Sequence, residues 1–445
     1  MEKDIVNTTD SKNSLSNLSY QEKLKKYNIN QKSALFTILL CIFTDGLGFS
    51  MILPLLPVVA TKNFGATNFL VGILIASNAL STFIFAPIWG KLSDKIGRRI
   101  PLLISQLGTL ISFLILGFSD SITIIFVSRI LDGMFGGQIP IIRAYITDVT
   151  DTKTRSVKMG YFTAGMAFGM IFGPSLGGLI GTINWRYPAF IASALSIVSM
   201  FLTISILVES MPKERRLEIK QRRLQNNENR GETKFMVLTK VVVLRLFEIL
   251  LIAIAFSMIF STFALVMNLR YGLDVALIGI FSTFAGICMI VVSGGLIKPL
   301  NKKFGEKTML LFSLGLAIAV FLSYPFLYEA WLLFIYIVPF MFMDIFIRTI
   351  VFSNLSKGVE EDHQGVVSGW ASNMFSIGQI VAPLIGYWYL DIGTLMVFGV
   401  TADAYFLMGI TCTLAIFALS IIALYDMRKY PGHFEGKEII DLKLS

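Results

Sequence analysis

The chain has 445 residues, of which 55% are hydrophobic and 15% are charged. Soluble globular domains carry roughly 25% charged residues, so this composition excludes an ordinary soluble protein. The net charge of +9 does not indicate a nucleic-acid partner, because the positive residues are concentrated in short segments between apolar runs.

Apolar runs long enough to cross a membrane recur along the whole chain. A bilayer core needs about 20 apolar residues for one helical crossing, and in lipid each backbone polar group must be paired within its own helix. The sequence therefore predicts an all-α polytopic membrane protein with twelve transmembrane helices. We call them spans 1 to 12, and they cover roughly 34–60, 69–90, 100–119, 122–146, 157–181, 187–208, 240–269, 276–298, 308–326, 331–354, 364–390 and 399–425.

The positive residues predict the orientation of the chain. All but seven of the 38 Lys and Arg lie in the two tails or in the loops after spans 2, 4, 6, 8 and 10. Cytoplasmic loops of membrane proteins carry such an excess of Lys and Arg. We therefore expect a plasma-membrane protein with both termini in the cytoplasm. The predicted organisation is an N-terminal tail (1–33), a first bundle (34–208), a linker (209–239), a second bundle (240–425) and a C-terminal tail (426–445).

Span 1 carries an acidic residue, Asp45, about 16 Å into the membrane at 1.5 Å per residue. An ionisable residue inside a span costs at least ~2.5 kcal/mol and marks a functional site by default. A buried carboxyl is driven towards neutrality by loss of water and towards ionisation by a nearby cation, so it is suited to bind and release a proton.

The loop after span 2 reads "GKLSDKIGRR" and contains Gly90, Asp94, Gly97, Arg98 and Arg99. Glycine at its two positions suits a tight turn with close backbone approach. The excess of positive residues in cytoplasmic loops explains the lysines of this loop, but it does not require an acid there. The presence of Asp94 in this loop therefore calls for a second role.

Spans 4 and 5 carry two further patterns. Span 4 contains "SRILDGMFGG", in which Arg129 and Asp132 are three residues apart and lie on one helix face. Asp132 is therefore either a proton-binding group or half of a permanent ion pair. Span 5 contains "GMIFGPSLGG", a face of small residues suited to close helix packing, with a proline that bends the helix. Its residues are Gly165, Gly169, Gly173, Pro174, Gly177 and Gly178.

The second half of the chain repeats the first at a constant offset of 209 residues. Gly160 aligns with Gly369, Pro174 with Pro383 and Gly177 with Gly386, among other positions. Two six-helix bundles in the same orientation imply a pseudo-twofold axis along the membrane normal.

Charged residues inside spans 7 and 10 predict two more pairs. Arg245 and Glu248, three apart, are interpreted as an interfacial pair near the cytoplasmic end of span 7. Asp344 and Arg348, four apart, are candidates for the central cavity.

These motifs together resemble the major facilitator superfamily. Its twelve-span drug:proton antiporter branch is resembled by the span 5 pattern and by "DGLGFSMILPLLP" in span 1, with Gly48, Pro54 and Pro57. The resemblance implies the major facilitator fold and a cytoplasmic latch, in which Asp94 and the arginines of its loop contact the end of span 4 and the start of span 11. The span 4 partners in this chain would be Arg143 and Asp148. It also implies that Arg129 is tied to proton transfer and that the span 5 motif blocks leakage.

The predicted function is proton-coupled export of lipophilic, possibly cationic small molecules by alternating access, without enzymatic activity. The expected partners are substrate, protons and lipid, for a monomer with no cofactor and no metal. No phosphate-binding loop of the G-x-x-x-x-G-K-[ST] type occurs, which argues against direct ATP use. Two alternatives stay open: an uptake carrier for a sugar, organic acid or peptide, and a membrane sensor that does not transport.

Overall fold

The computed structural model describes residues 29–217, 239–359, 363–397 and 400–434. Most of the predicted N-terminal tail, linker and C-terminal tail lie outside these residues. Among the described residues, spans 1 to 6 are formed by eight helices. They are Gln31–Ile52, Leu55–Phe64, Asn68–Ile96, Arg99–Gly117, Ile122–Met134, Gln138–Asp148, Thr152–Ile183 and Tyr187–Ser205.

The second half has the same plan. Its α-helices are Lys240–Tyr271, Val275–Ile290, Ile297–Phe304, Glu306–Ser323, Leu332–Lys357, Gln364–Ile392 and Ala404–Lys429. Three shorter helical segments, Val291–Leu296, Tyr324–Phe326 and Pro431–His433, lie between or after them. A two-stranded hairpin, β1 (Thr394–Val397) and β2 (Val400–Asp403), joins spans 11 and 12 and was not predicted.

Twelve crossings result, as the sequence predicts. Within the described residues, eleven helical segments are long and apolar enough to cross a membrane. The twelfth crossing is Gln364–Ile392, which has 29 residues but is interrupted by Gly, Ser, Asn and Gln. It packs between spans 2 and 7, and its polar residues Ser372, Asn373 and Gln379 are exposed.

Several spans are broken inside the membrane. Span 1 consists of two helices that meet at Leu53 and Pro54, where the proline ring interrupts the hydrogen-bond ladder. Span 4 breaks between Met134 and Gln138, and the exposed carbonyl of Met134 accepts a hydrogen bond from the Trp89 indole at 2.7 Å. Span 8 widens into a π-helix over Val291–Leu296. Each break changes the direction of side chains that follow it.

Ordered contacts extend beyond the predicted ends of two spans. Span 12 continues to Lys429 and includes Asp426, which is 1% exposed. The segment after span 6 begins with Glu209 and Ser210, and both side chains contact the first bundle. Hydrogen bonds, and for Asp426 an ion pair with Arg245, hold these residues against the bundles.

The two bundles meet along two seams, one between spans 2 and 11 and the other between spans 5 and 8. We call the side of the protein that carries Gln31 and Lys429 the terminal face, and the opposite side the distal face. Between described residues, the hydrogen bonds that join the two bundles lie in these seams, from the middle of the membrane to the distal face.

The bundles separate towards the terminal face. A side-chain carbon built at Gly160 in span 5, or at Gly365 or Gly369 in span 11, would have open space around it. The structure is therefore closed at the distal face and open at the terminal face.

Candidate functional site

Arg98, in the turn between spans 2 and 3, is the centre of a charge cluster at the terminal face. Its Nη1 lies 2.7 Å from Asp94 Oδ1, and its Nε lies 3.0 Å from Asp148 Oδ2. The same Nη1 donates to the Ser93 hydroxyl at 2.7 Å. Because Arg98 is 6% exposed, these partners replace the water that its guanidinium loses.

Two opposing effects act on the pKa of Arg98. Burial lowers it, but the carboxylates of Asp148 and Asp94 outweigh burial, and the pKa lies above its ordinary value. The guanidinium therefore stays charged wherever the protein is folded at ordinary pH. A group whose pKa is raised in the folded protein contributes stability that is fully present below its unfolded-state pKa. The contribution of Arg98 is therefore not lost through its own titration when the pH falls.

Glu209, four residues beyond the helix of span 6, completes this cluster and was missed by the sequence analysis. Its carboxylate accepts hydrogen bonds from the backbone N–H groups of Arg98 at 2.8 Å, Arg99 at 3.0 Å and Met211 at 2.9 Å. It thereby caps the start of span 3, where a negative charge is favourable. Gly97 has φ 103°, and a Cβ there would lie 2.5 Å from Glu209 Oε2, so only glycine fits.

The structure brings together some of the predicted latch residues and leaves others apart. Asp94 and Asp148 meet through Arg98, as described above. Arg143 is exposed, and its guanidinium lies over the Phe162 ring at 5.3 Å, away from Asp94. The Arg99 guanidinium donates to the Ile204 carbonyl. A Cβ at Gly90 would have open space, so packing does not require glycine there in this conformation.

The buried pair predicted in span 4 is present. Arg129 Nη1 lies 3.4 Å from Asp132 Oδ2, and both residues are less than 10% exposed. Asn78 of span 2 donates to the same Asp132 oxygen at 3.0 Å and to the Arg129 carbonyl at 3.0 Å. Arg129 Nη2 donates to Ser128. Asp132 therefore has both a cation and an amide donor.

Asp45 of span 1 has a different environment. The side-chain amide of Gln138, in the orientation that satisfies both of its ends, donates to both Asp45 oxygens and accepts from the Thr109 hydroxyl. Gln138 is the first residue of the helix after the break in span 4, so the break directs its amide at span 1. No Lys, Arg or His among the described residues forms an ion pair with Asp45.

The glycine face of span 5 contacts two partners. Gly165, Gly169, Gly173 and Gly177 pack against span 1, where a Cβ at Gly169 would lie 2.6 Å from the Phe43 carbonyl oxygen. Gly178 and Pro174 face the backbone of span 8 in the other bundle, at Val275 and Gly279. Nearby, the Ser175 and Thr283 hydroxyls are 2.6 Å apart, and Thr283 donates to the Ile171 carbonyl at 2.7 Å.

The pair predicted in span 10 is also present. Arg348 Nη2 lies 2.6 Å and 2.7 Å from the two oxygens of Asp344. The Arg348 side chain is 40% exposed, whereas that of Asp344 is 13% exposed. The guanidinium lies 4.9 Å from the centre of the Phe375 ring in span 11. Arg348 is thus held between a carboxylate and an aromatic face.

The pairing of Arg245 with Glu248 was predicted from their spacing, and the structure corrects it. Arg245 is fully buried and bonds Asp426 of span 12 through Nε at 3.0 Å and Nη2 at 3.3 Å, while Nη1 donates to the Asn354 carbonyl. Glu248 is 3% exposed. The guanidinium fork binds both oxygens of a carboxylate from another helix through Nε and Nη2.

The comparisons with known proteins agree with this architecture. The family model described as "Major Facilitator Superfamily" matches residues 38–383. The chain is 30% identical over 365 residues to "Multidrug resistance protein 2" of Bacillus subtilis (strain 168), covering 81% of this chain and 90% of that protein. It is 27% identical over 362 residues to "Tetracycline resistance protein, class C" of Escherichia coli, covering 80% and 89%.

A third relative is "Quinolone resistance protein NorA" of Staphylococcus aureus (strain COL), which is 26% identical over 379 residues, covering 85% of this chain and 93% of the relative. The protein is a polytopic membrane transporter by its fold and by the length of these matches. The chain belongs to the major facilitator superfamily.

Two solved structures have the same fold. The nucleoside transporter NupG superposes with a TM-score of 0.69 at 12% identity, covering 88% of this chain and 99% of that chain. A bacterial homolog of the human lysosomal transporter Spinster, inward-facing and unoccupied, superposes with a TM-score of 0.68 at 13% identity, covering 91% and 98%. The family and both neighbours consist of transporters, which agrees with the prediction that the chain is not an enzyme.

Proposed function

We propose that this protein exports lipophilic, cationic small molecules in exchange for protons by alternating access. The observation that carries this proposal is the environment of Asp45. It is a carboxyl in the middle of span 1 whose contact in the described structure is an amide. The charged pairs in spans 4 and 10, by contrast, are each composed of one arginine and one aspartate.

The balance of charge explains the exchange. The pairs Arg129–Asp132 and Arg348–Asp344 are neutral as units, so the ionised form of Asp45 adds an uncompensated negative charge to the membrane interior. Either a proton or a substrate cation removes this cost, which is several kcal/mol for a buried ion. The two ligands compete for one carboxylate, and that competition is the requirement for antiport.

Asp132 is less suited to the exchange. Its Oδ2 accepts hydrogen bonds from Asn78 and Arg129, both of which favour the ionised form. We assign Arg129 and Asp132 a positioning role, in which they hold the first helix of span 4 against span 2. Asp344 and Arg348 are the corresponding cavity residues of the second bundle, where the exposed guanidinium on Phe375 can contact bound substrate.

The remaining predicted residues control conformation. Asp94, Arg98, Asp148 and Glu209 tie together spans 2, 3, 4 and the segment after span 6 at the terminal face. The first bundle thus moves as one body when the cavity closes on that side. The span 5 glycine motif lets spans 1 and 8 approach the backbone of span 5, and this seals the distal face in the present conformation.

The names of the relatives support the substrate class. They describe multidrug, tetracycline and quinolone resistance. We propose that the protein is a monomer in the plasma membrane with its terminal face in the cytoplasm, as the distribution of Lys and Arg predicts. The bundles then comprise residues 34–208 and 240–425, joined by the cytoplasmic linker 209–239 between tails 1–33 and 426–445.

The test is transport in proteoliposomes that carry an imposed pH gradient, with ethidium as the probe. The wild-type protein should move ethidium against its gradient only when protons flow in the opposite direction. Asp45→Asn should abolish this accumulation, because the amide cannot release a proton. The matched control is Asp403→Asn, which changes an acid at the distal start of span 12. Movement of ethidium that ignores the pH gradient, with Asp45→Asn as active as wild type, would contradict the proposal.

A further inference from the structure

Spans 2 and 11 form an antiparallel pair that crosses the boundary between the two bundles. Their helices, Asn68–Ile96 and Gln364–Ile392, both have 29 residues. Each carries an aspartate in its last turn, Asp94 in span 2 and Asp391 in span 11. An acid at the C-terminal end of a helix is unfavourable for its own helix, because that end of the helix dipole is negative.

Asp391 serves the first turn of span 2. Its Oδ1 accepts a hydrogen bond from the backbone N–H of Asn68 at 2.9 Å, and its Oδ2 accepts one from the backbone N–H of Phe69 at 2.7 Å. The Asn68 side-chain amide returns a hydrogen bond to the Leu390 carbonyl at 3.2 Å. Three hydrogen bonds thus join the distal ends of the two bundles at one point.

This contact completes the capping of span 2. The first N–H groups of a helix have no partner inside it. In span 2, the Thr67 hydroxyl satisfies Leu70, and the Thr67 carbonyl satisfies Val71. The N–H groups of Asn68 and Phe69 are bound by Asp391 of the other bundle. These two groups have this partner only while the distal face is closed.

Two other aspartates at the distal face show that this arrangement is unusual in the chain. Asp274 caps span 8 through the Leu277 N–H at 2.9 Å, and Asp403 caps span 12 through the Phe406 N–H at 2.7 Å. Both act on the helix that directly follows them, within one bundle. Their hydrogen bonds do not depend on the position of one bundle relative to the other, whereas those of Asp391 do.

Packing below the contact supports the same role. A Cβ at Gly72, one turn below Asn68, would lie 2.8 Å from Tyr387 Cβ and 3.0 Å from the Pro383 carbonyl oxygen. The two helices are therefore in direct backbone contact at the distal end. At the terminal end of the same pair, the Asp94 side chain is 40% exposed and bonds Arg98 in its own bundle.

We propose that Asp391 is a positioning residue that holds the distal gate closed by capping span 2, and that its release accompanies outward opening. The inference rests on the alternating access of the proposed function. Asp94 occupies the opposite end of the same helix pair, and the family resemblance already gives it the corresponding contact with the start of span 11. This antiparallel pair thus carries a helix-capping carboxylate at each gate, and only one of the two caps the other helix at a time.

The experiment measures the distance between the distal ends of the bundles. Spin labels are placed on cysteines at the exposed positions Asp120 and Glu329, in the loops after spans 3 and 9, with the native cysteines replaced by serine. Pulsed dipolar spectroscopy then gives the populations of the short, distal-closed and the long, distal-open distances. Asp391→Asn should raise the ratio of distal-open to distal-closed protein about three- to tenfold, because two charge-assisted hydrogen bonds weaken only in the closed state.

Matched variants separate this effect from a general loss of structure. Asp403→Asn and Asp274→Asn remove the same charge from caps within one bundle, and both should leave the ratio unchanged. Asp94→Asn should shift the ratio in the opposite direction to Asp391→Asn. An unchanged ratio in Asp391→Asn, or an equal shift in Asp403→Asn, would overturn the proposal. The distances are read without substrate or a pH gradient, so failure of proton coupling at Asp45 would leave this result intact.

Discussion

The carboxylate of Glu209 occupies the space beside Gly97 in which any other residue would place its side chain. The two residues are 112 positions apart, yet a Cβ at Gly97 would lie 2.5 Å from Glu209 Oε2. The glycine of the loop motif and the acid after span 6 therefore form one structural unit. Its function is to hold the start of span 3 against the end of the first bundle.

This unit predicts the effect of alanine at residue 97. Gly97→Ala should destabilise the protein by about 2–4 kcal/mol, because backbone strain at φ 103° adds to displacement of the Glu209 carboxylate. Gly305→Ala is the control: it has φ 81° at the equivalent loop of the second bundle, with open space around the Cβ. It should cost only about 1–2 kcal/mol of strain. Thermal unfolding in detergent measures both, and equal losses would contradict a role for Glu209.

The two acids around Arg98 should differ in their contributions. The Asp148 side chain is 13% exposed and that of Asp94 is 40% exposed. Asp148→Asn should therefore destabilise the protein by about 3–5 kcal/mol, since it leaves a buried guanidinium poorly compensated. Asp94→Asn should cost about 1 kcal/mol or less. The melting temperatures of the two variants test this order, and a greater loss in Asp94→Asn would refute it.

The seam between spans 5 and 8 predicts a defect in gating. A side chain at Gly178 would meet the backbone of Val275 and Ala276, which cannot move aside without moving span 8. Gly178→Ala should therefore reduce transport at least about tenfold by disfavouring the distal-closed conformation. Gly160→Ala in the same span adds a methyl group to open space and should transport normally. Ethidium transport by equal amounts of membrane-inserted protein compares them, and equal activities would argue against the seam as a gate.

The buried pair in the second bundle predicts a large loss of stability. Asp426→Asn should destabilise the protein by about 3–5 kcal/mol, because Arg245 would remain fully buried with its main counter-ion removed. Asp344→Asn should cost less, since Arg348 is 40% exposed and solvent compensates it. Thermal unfolding of both variants gives the comparison. If Glu248→Gln were the more damaging change, the pairing assigned to Arg245 would be wrong.

The sequence predicted the features that depend on short-range patterns. Hydrophobic run length predicted twelve crossings, and charges at helical spacing predicted the pairs Arg129–Asp132 and Asp344–Arg348. The three-residue spacing of Arg245 and Glu248 gave the wrong partner, because Asp426, 181 positions away, offers a two-point contact to the guanidinium. Spacing identifies which residues can pair along one helix but contains no information on a competitor from another helix.

The two helix caps from distant parts of the chain were also not predicted from the sequence. Glu209 and Asp391 each accept hydrogen bonds from the start of a helix more than 100 positions away. Nothing near either residue in the chain marks it as a cap, because capping patterns are local by definition. The one sequence signal for Glu209 is the glycine of the loop motif at Gly97, whose lack of a side chain leaves room for a partner.

Proton release on substrate binding tests the central claim most directly. In weakly buffered detergent solution at a pH where Asp45 is protonated before binding, the wild-type protein should release about one proton for each bound ethidium cation, since both ligands compete for that carboxylate. Asp45→Asn should bind without releasing a proton, and Asp403→Asn should behave as wild type. Full proton release from Asp45→Asn, or ethidium binding to the wild-type protein without any release, would contradict the account.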